Sequence, residues 1–505
     1  VPWAQLDSAT RVPRRIGRRV SRVTQLSPGL AFGVHNNNLT NLTRGVVERV
    51  FAVESGGKLI PVPKPAPGRV ASELAGVAAE LDSHTSSTTP YTYDEFVGTY
   101  EGRRRMVYSA AVDSLAARPV HRGDASSRAF LKAEKVAFYA KADPAPRLIH
   151  PRDPRYNVEV GRYIKKIEHL VYHSIDELWG QRTVLKGYNA QSVAGILRRK
   201  WDSFHKPVAI GLDASRFDQH VSVDALKWEH SRYVAWFNGP DRERLEELLS
   251  WQLDTKVTAV ADDGRLKYRV RGMRFSGDMN TGLGNCLLMS SMVYAWCRKQ
   301  GVKAQLANNG DDCVLVLDTA QLRLLDIGGM TRWFATLGFT MKMEEPVRDF
   351  ERIQFCQAHP VWAGDAWVMV RRHQHAMAKD CISIKPLDHK RVFDAWRYTV
   401  GIGVLSLTGG VPVQQEFYAA LRRGAAPRVL SDPTMETGFA IMCRGMRREA
   451  TEPTAASRYS YWLAFGVSPD EQVALEHVYR GVALQWGQPR GEGTTVPTSR
   501  TEFLL

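Results

Sequence analysis

The chain has little cysteine and no arrangement of it that a framework could use. Cys286, Cys297, Cys313, Cys356, Cys381 and Cys443 are scattered, with no C-x-x-C pair and no histidine at metal-ligand spacing. That excludes a disulfide scaffold and a structural zinc site, and predicts a reducing, intracellular setting. Long apolar runs are also missing. The best of them, Val400 to Val413, is broken by glycines and Pro412 and falls short of the roughly 20 residues a membrane span needs, so no transmembrane segment is expected. No signal peptide opens the chain, and the sequons at Asn38 and Asn41 are read as chance. The start at Val1 rather than Met reads as part of a longer product. Acid is the minority charge: 53 Asp and Glu against 68 Lys and Arg leave a net charge of +15 and a pI near 9.5. Such an excess suits a polyanion, nucleic acid first and an anionic membrane surface second. A 44% hydrophobic content over 505 residues excludes a disordered chain.

What is present alternates short apolar runs with amphipathic ones, the pattern of mixed α/β structure. Residues 1–60 read as a basic arm with six arginines between Arg11 and Arg22, either a solvated flexible segment or a dedicated RNA contact, and Gly56 to Gly68 as a proline-rich linker after it. Residues 486–505 read as a flexible tail. Val208 to Asp213 is a buried-strand candidate ending in an acid, and Val221 to Phe237 has helical spacing up to Asn238-Gly239-Pro240. Leu287 to Trp296 is apolar nearly all round, as a buried helix is. Trp228 and Trp236 are read as core. Two apolar runs flank Asn309-Gly310 in NNGDDCVLV, a hairpin signal that puts Asp311 and Asp312 at a tight turn.

Adjacent carboxylates at the lip of an apolar strand need a cation. A second acidic element, Asp213 to Asp218, has the matching strand-end position. If the strands are neighbours, the acids can hold two Mg²⁺ or Mn²⁺ ions about 3.5–4 Å apart, the arrangement for phosphoryl transfer. Between the two lies SGDMNTGLGN, Ser276 to Asn285. Its glycines allow close backbone approach, and its short polar groups suit a sugar or phosphate.

D-x₄-D, S-G-x₃-T-x₃-N and G-D-D, in this order, resemble motifs A, B and C of the viral RNA-dependent RNA polymerases. KAEK at Lys132 to Lys135, the proline-rich stretch from Asp143 to Lys165, FCQAHPV from Phe355 and SRYSYWLAFGVSPDEQ from Ser457 resemble the Tombusviridae replicases. The resemblance implies an α+β right-hand fold with a small antiparallel palm sheet. Fingers would span 61–205 with an insertion at 238–274, palm 206–237 and 275–354, and motif E with the thumb 355–485. It implies Asp213, Asp311 and Asp312 as metal ligands, and Lys342 as the acid that protonates the leaving pyrophosphate. Arg147 and Arg152 would clamp the triphosphate, while Asp218 and Asn285, with Ser276, Gly277 and Thr281, would bind the nucleotide and read its ribose. Lys132, Lys135, Lys141, Arg155 and the turn Phe355-Cys356-Gln357 would contact RNA.

The implied partners are template and nascent RNA, ribonucleoside triphosphates and a membrane-anchored viral auxiliary replicase protein. The implied location is a membrane-bound replication complex in the host cytoplasm. A reverse transcriptase or two-metal nuclease shares the paired acids, and a non-catalytic RNA-binding protein shares the charge. Asp218 and Asn285 count against the first, the lack of further acidic or histidine clusters against the second, and the intact carboxylate set against the third.

Overall fold

In the strand Pro207–Ala214, Val208, Ile210 and Leu212 alternate with Ala209, Gly211 and Asp213, so the two sets face opposite ways. The computed structural model describes residues 4–8, 17–430, 438–487 and 490–492. It places this strand in a four-stranded antiparallel sheet ordered Ala304–Asn309, Asp312–Asp318, Pro207–Ala214, Met341–Met343. Val208, Ile210 and Leu212 join the larger core with the helices Pro154–Trp179, Val223–Val234 and Thr281–Gln300. Ala209, Val314 and Val316 on the other face join a second core, built mainly from residues beyond Phe350.

Local chemistry sets the helix ends. Asp153 accepts from the Arg155 N–H ahead of Pro154, and Gly180 closes the same helix at φ 73°. Thr281–Gln300 is buried along most of its length and stops at Gly301, φ 67°. The helix expected up to Phe237 ends at Val234, and Asn238-Gly239-Pro240 instead opens the next one, Gly239–Ser250. Proline is pre-shaped for a first turn, so the same triplet serves a start as well as a stop. Trp228 and Trp236 are buried.

Residues 254–271 form a hairpin, Asp254–Ala261 and Gly264–Arg271, in a five-stranded sheet with Ala4–Ser8, Ser127–Leu131 and Leu148–Ile149. One face of this sheet packs on Leu42 and Val46 of the helix Leu39–Val46. The segment expected as a solvated arm is therefore folded from Gly17 onward. Arg19–Arg22 pairs with Ile382–Ser383 and with Arg490–Glu492, and Phe32–Gly33 pairs with Val136–Ala137.

Arg18, Arg22 and Arg44 in it are structural, while Arg11, Arg14 and Arg15 lie outside the described residues. The Arg18 guanidinium donates to the carbonyls of His35, Leu131 and Lys132, Arg22 donates to that of Phe32, and Arg44 is buried against Glu48 and Asp143. A fork of five donors can satisfy several loop carbonyls at once, which composition alone does not distinguish from solvation. The first half of the expected linker is a hairpin, Ala52–Ser55 and Lys58–Pro61, turned by Gly56 and Gly57 at positive φ. In the expected tail, Trp486 donates to the Leu387 carbonyl and residues 490–492 form the strand above, while residues 488–489 and 493–505 lie outside the described residues. Among the described residues no helix is long and apolar enough to cross a membrane.

Candidate active site

Antiparallel register puts Asp312 directly opposite Asp213, and Lys342 directly opposite Asp213 on its other side. Directly opposed residues share a sheet face, so two carboxylates and an amine stand in one row. Asn309 pairs with Asp312, so the two turn residues are Gly310, φ 71°, and Asp311. The turn thus sits one residue later than Asn309-Gly310. Its consequence is that Asp312 faces Asp213 across the ladder while Asp311 stands exposed at the tip.

The acids act on one another. Desolvation in the cleft, then the Asp218 and Asp213 charges, push the Asp311 carboxyl up to about 6, with Arg147 opposing. Desolvation pushes Asp312 up to about 7, aided by Asp311, Glu344 and Asp213 and opposed by a hydrogen bond from the Cys356 N–H at 2.9 Å. Glu344 is itself raised by desolvation and by Asp213. Its carboxylate lies where a side chain on Gly211 would be, so that glycine keeps room for it.

Asp213 and Asp311 form no ion pair and no side-chain hydrogen bond with another side chain among the described residues. Oxygen-only donors that repel one another and lack protein partners fit a hard divalent cation such as Mg²⁺ or Mn²⁺. Among the described residues, however, no three His, Cys, Asp or Glu side chains close into a ready-made metal cluster.

The turn at Phe355 docks on this row. Cys356 and Gln357 have φ of 51° and 61°, and Phe355 and Ala358 exchange hydrogen bonds of 2.9 and 3.0 Å. Two successive non-glycine residues at positive φ are costly, roughly 1–2 kcal/mol each. The conformation aims the Cys356 N–H at Asp312. Desolvation and the neighbouring Asp312 push the Cys356 thiol far up, which favours its neutral form.

Beside the carboxylates, Asn285 Nδ2 donates to Asp218 at 2.8 Å, and Asn285 Oδ1 accepts from Arg274 Nε at 3.0 Å. Arg274 is fully buried and pairs with Glu229, which also accepts from Asn280 and Tyr233. Arg274 and Glu229 were missed in the sequence. The available signal was a lone arginine inside the apolar GMRFSG, together with Gly284, whose missing side chain leaves the space that Glu229 and Arg274 fill. The Ser276 hydroxyl accepts from the His150 N–H, and Thr281 Oγ1 donates to the Phe275 carbonyl. Gly277 lies so close to His150 and Pro151 that a Cβ would meet their backbone at 2.6 Å. The Ser276–Asn285 loop is thereby clasped to the stretch that holds Arg147.

Arg147 and Arg152 part company here. Arg147 has 57% of its side chain exposed, bonds Glu134 at 3.2 Å, and its charge reaches both Asp218 and Asp311. Arg152, expected as a second triphosphate clamp, is fully buried. It pairs with Asp278, donates to Thr255 at 3.1 Å and lies over the Phe275 ring. Arg155, expected on RNA, is buried too, with hydrogen bonds to Ser114 and the carbonyls of Arg118 and Pro119. Lys135 donates to the Lys379 carbonyl at 2.9 Å, and desolvation lowers it to about 8. These three differ from expectation for one reason: partners far away in sequence claim charges that composition assigns to ligands. Lys132 pairs with Glu134, and Lys141 is exposed.

Arg152→Ala would strand a buried Asp278 carboxylate, at a cost of ~3–5 kcal/mol. A marked fall in the thermal midpoint is expected before any kinetic effect can be read; an unchanged midpoint would contradict the structural role.

The sequence matches the family described as viral RNA dependent RNA polymerase over residues 7–487. It is 43% identical over 475 residues to the RNA-directed RNA polymerase of Turnip crinkle virus, covering 92% of this chain and 60% of that protein. Those of Melon necrotic spot virus (43% over 479 residues; 93% and 60%) and Tobacco necrosis virus strain D (41% over 480 residues; 93% and 65%) are similarly close. The chain belongs to the viral RNA-dependent RNA polymerase family, and its relatives are those of Tombusviridae viruses. It spans about 60% of the length of the Turnip crinkle virus relative.

Proposed function

We propose that this chain is an RNA-directed RNA polymerase that adds ribonucleotides to an RNA 3′-OH on an RNA template, releasing pyrophosphate. The observation that carries the reading is the row of Asp312, Asp213 and Lys342 set by sheet register, next to Asp218 bound to Asn285, in a chain of this family. In this reading the four-stranded sheet is the palm (206–237 and 275–354), and fingers come from 61–205 and 238–274. Residues 17–60 join them, and 355–485 supply motif E and the thumb.

Asp213, Asp311 and Asp312 would hold two divalent cations. Bound there, such ions activate the attacking hydroxyl and stabilise the leaving oxygen. The chain's own side chains do the rest. Arg147 meets the triphosphate with a planar fork suited to phosphate oxygens. Asp218 and Asn285 hold the ribose hydroxyls, and Lys342, in line with Asp213, donates a proton toward pyrophosphate. The Cys356 turn steadies the primer end and Asp312 together.

RNA, ribonucleoside triphosphates and a membrane-anchored viral auxiliary protein are the partners in this reading, and a membrane-bound replication complex in the host cytoplasm is the place. Incorporation of labelled ribonucleotides on an RNA template separates it from a reverse transcriptase, a nuclease and a passive RNA-binding protein. No product beyond background, with divalent cation present, would overturn it.

Arg147→Ala is expected to raise the apparent nucleotide KM and slow addition, because the lost contact meets charge that grows in the transition state. RNA affinity and its salt dependence should stay as they are. Weaker RNA binding with unchanged nucleotide kinetics would move Arg147 to the RNA path.

A further inference from the structure

The five-stranded sheet buries one face against the helix Leu39–Val46, and its other face carries the exposed residues of its longest strands. Along Gly264–Arg271 burial alternates strictly, so Arg265, Lys267, Arg269 and Arg271 all point outward. Neighbouring strands add Lys256 and Arg128, both exposed. These three strands place the acid Asp254 on that face, half-buried and bonded to Arg269 at 2.7 Å. The edge strand Ala4–Ser8 sets Asp7 opposite Arg265, and Arg265 and Lys267 have partners of their own, so the cations left for a ligand are chiefly Arg128, Lys256 and Arg271. Lys256 stands directly opposite Arg269, and Thr258 lies between Arg128 and Lys267 in one row. Opposed like charges weaken a sheet, so this pairing conflicts with stability alone.

Alternate residues on one strand are ~6.5–7 Å apart and held on a rigid support, which presents the guanidinium groups as an ordered row. At one end Arg122, Lys256, Arg269, Ser126 and Trp251 line a cavity of about 380 Å³. Phe130 is 44% exposed beside the cations and offers a ring on which a base can stack. The cations acting on the carboxyls of Asp218 and Asp311 are Arg147 and Arg274, neither from this face.

We propose that this outward face is a second RNA-binding surface, which grips the phosphodiester backbone outside the catalytic cleft. It goes beyond the polymerase reading, since RNA binding here is measured without nucleotide addition. Arginine dominates the set, and its planar fork matches phosphate oxygens bidentately. Phe130 is the one large apolar side chain these strands expose there, and a flat sheet face has no amphipathic helix to insert. Both features favour RNA over an anionic membrane. Binding is read through phosphate contacts, so it tolerates any sequence.

The test is a triple variant, Arg128→Gln, Lys256→Gln and Arg271→Gln, in the 505-residue chain. These three form no ion pair among the described residues, so the fold should persist, as a thermal midpoint checks. Two RNAs are compared: one of about 10 nucleotides, enough for a single site, and one several times longer. The long RNA should bind up to ~100-fold more weakly at 0.1 M salt, with the slope of log K against log salt reduced by ~2–3. Affinity for the short RNA and single-nucleotide addition on a short primed template should be unchanged.

An unchanged long-RNA affinity and slope would overturn the proposal. So would equal loss for both RNAs with an intact midpoint, which would make the face part of the catalytic path. Loss of binding to phosphatidylserine vesicles with RNA binding intact would assign the face to a membrane instead. Failure of nucleotide addition in the wild type, with the long-RNA effect present, would overturn the polymerase reading and leave this one standing.

Discussion

Asp213→Ala and Asp312→Asn are each expected to abolish nucleotide addition while RNA binding stays within a few-fold of wild type. Outer-sphere changes around a metal typically cost ~10–100-fold, so the loss of a carboxylate that meets the cation itself should exceed that range. Asp312→Asn is the sharper variant. Its amide oxygen can still accept from the Cys356 N–H, so the turn at Phe355 stays docked and the loss reports charge rather than shape. Turnover within tenfold of wild type for either variant would remove the metal role.

The same crowding predicts an effect on stability of opposite sign. The folded-state carboxyls of Asp311 and Asp312 are raised to about 6 and about 7 from an ordinary value of 3.8. The folded chain therefore holds protons that the unfolded chain has released, and their contribution to stability falls as pH rises from about 4 to about 7. In chelator the thermal midpoint should drop across that window, and Asp312→Asn should flatten the drop. Added Mg²⁺ should flatten it too, because a bound cation favours the ionised form. Equal slopes for wild type and variant would show that burial and the neighbouring acids do not raise the Asp312 carboxyl.

How far the sequence led differs from residue to residue, for physical reasons. The strand Pro207–Ala214, the buried helix Thr281–Gln300 and the acidic hairpin were legible because each carries its own periodicity and punctuation. The one-residue displacement of the turn was not, since Asn309-Gly310 and Gly310-Asp311 both satisfy its need for positive φ. Arg147 and Arg152 were indistinguishable as text: they lie five apart in the same proline-rich stretch. Asp278, 126 residues from Arg152, decides between them by claiming one of the two. Arg18 was misjudged for the same cause, because a carbonyl 114 residues away absorbs one of its donors. Long-range polar pairing leaves no period, and Arg274 with Glu229 is its clearest case. Their ion pair is fully buried, and only the glycine at 284 records its volume.

That buried pair underlies the remaining prediction, on the choice of sugar. Asn285 has one amide, and Arg274 fixes which end faces which way: Oδ1 accepts from the guanidinium, so Nδ2 must point toward Asp218. Asp218 takes one of the two Nδ2 hydrogens, leaving the other, and an Asp218 oxygen, for a ribose hydroxyl. A site built this way rejects the analogue that lacks the hydroxyl, because its own polar groups are then left unpaired, and the penalty reaches ~10⁴-fold in well-made sites. Desolvation also raises the Asp218 carboxyl, so its charge is held there against a cost that only useful partners offset. Wild type should therefore use ATP far better than dATP on a matched template. Asn285→Ala should erode that preference ~10-fold or more, and erode it more than it lowers the rate with ATP. The variant keeps the Arg274 and Glu229 pair but leaves the buried Arg274 Nε without its acceptor, so a thermal midpoint is read beside the kinetics. Single-nucleotide incorporation with the two sugars, wild type against variant, reads the difference directly. Equal efficiency for both sugars in the wild type would end the ribose-reading role and reopen the reverse transcriptase; an intact preference in Asn285→Ala would shift that role to Asp218 alone.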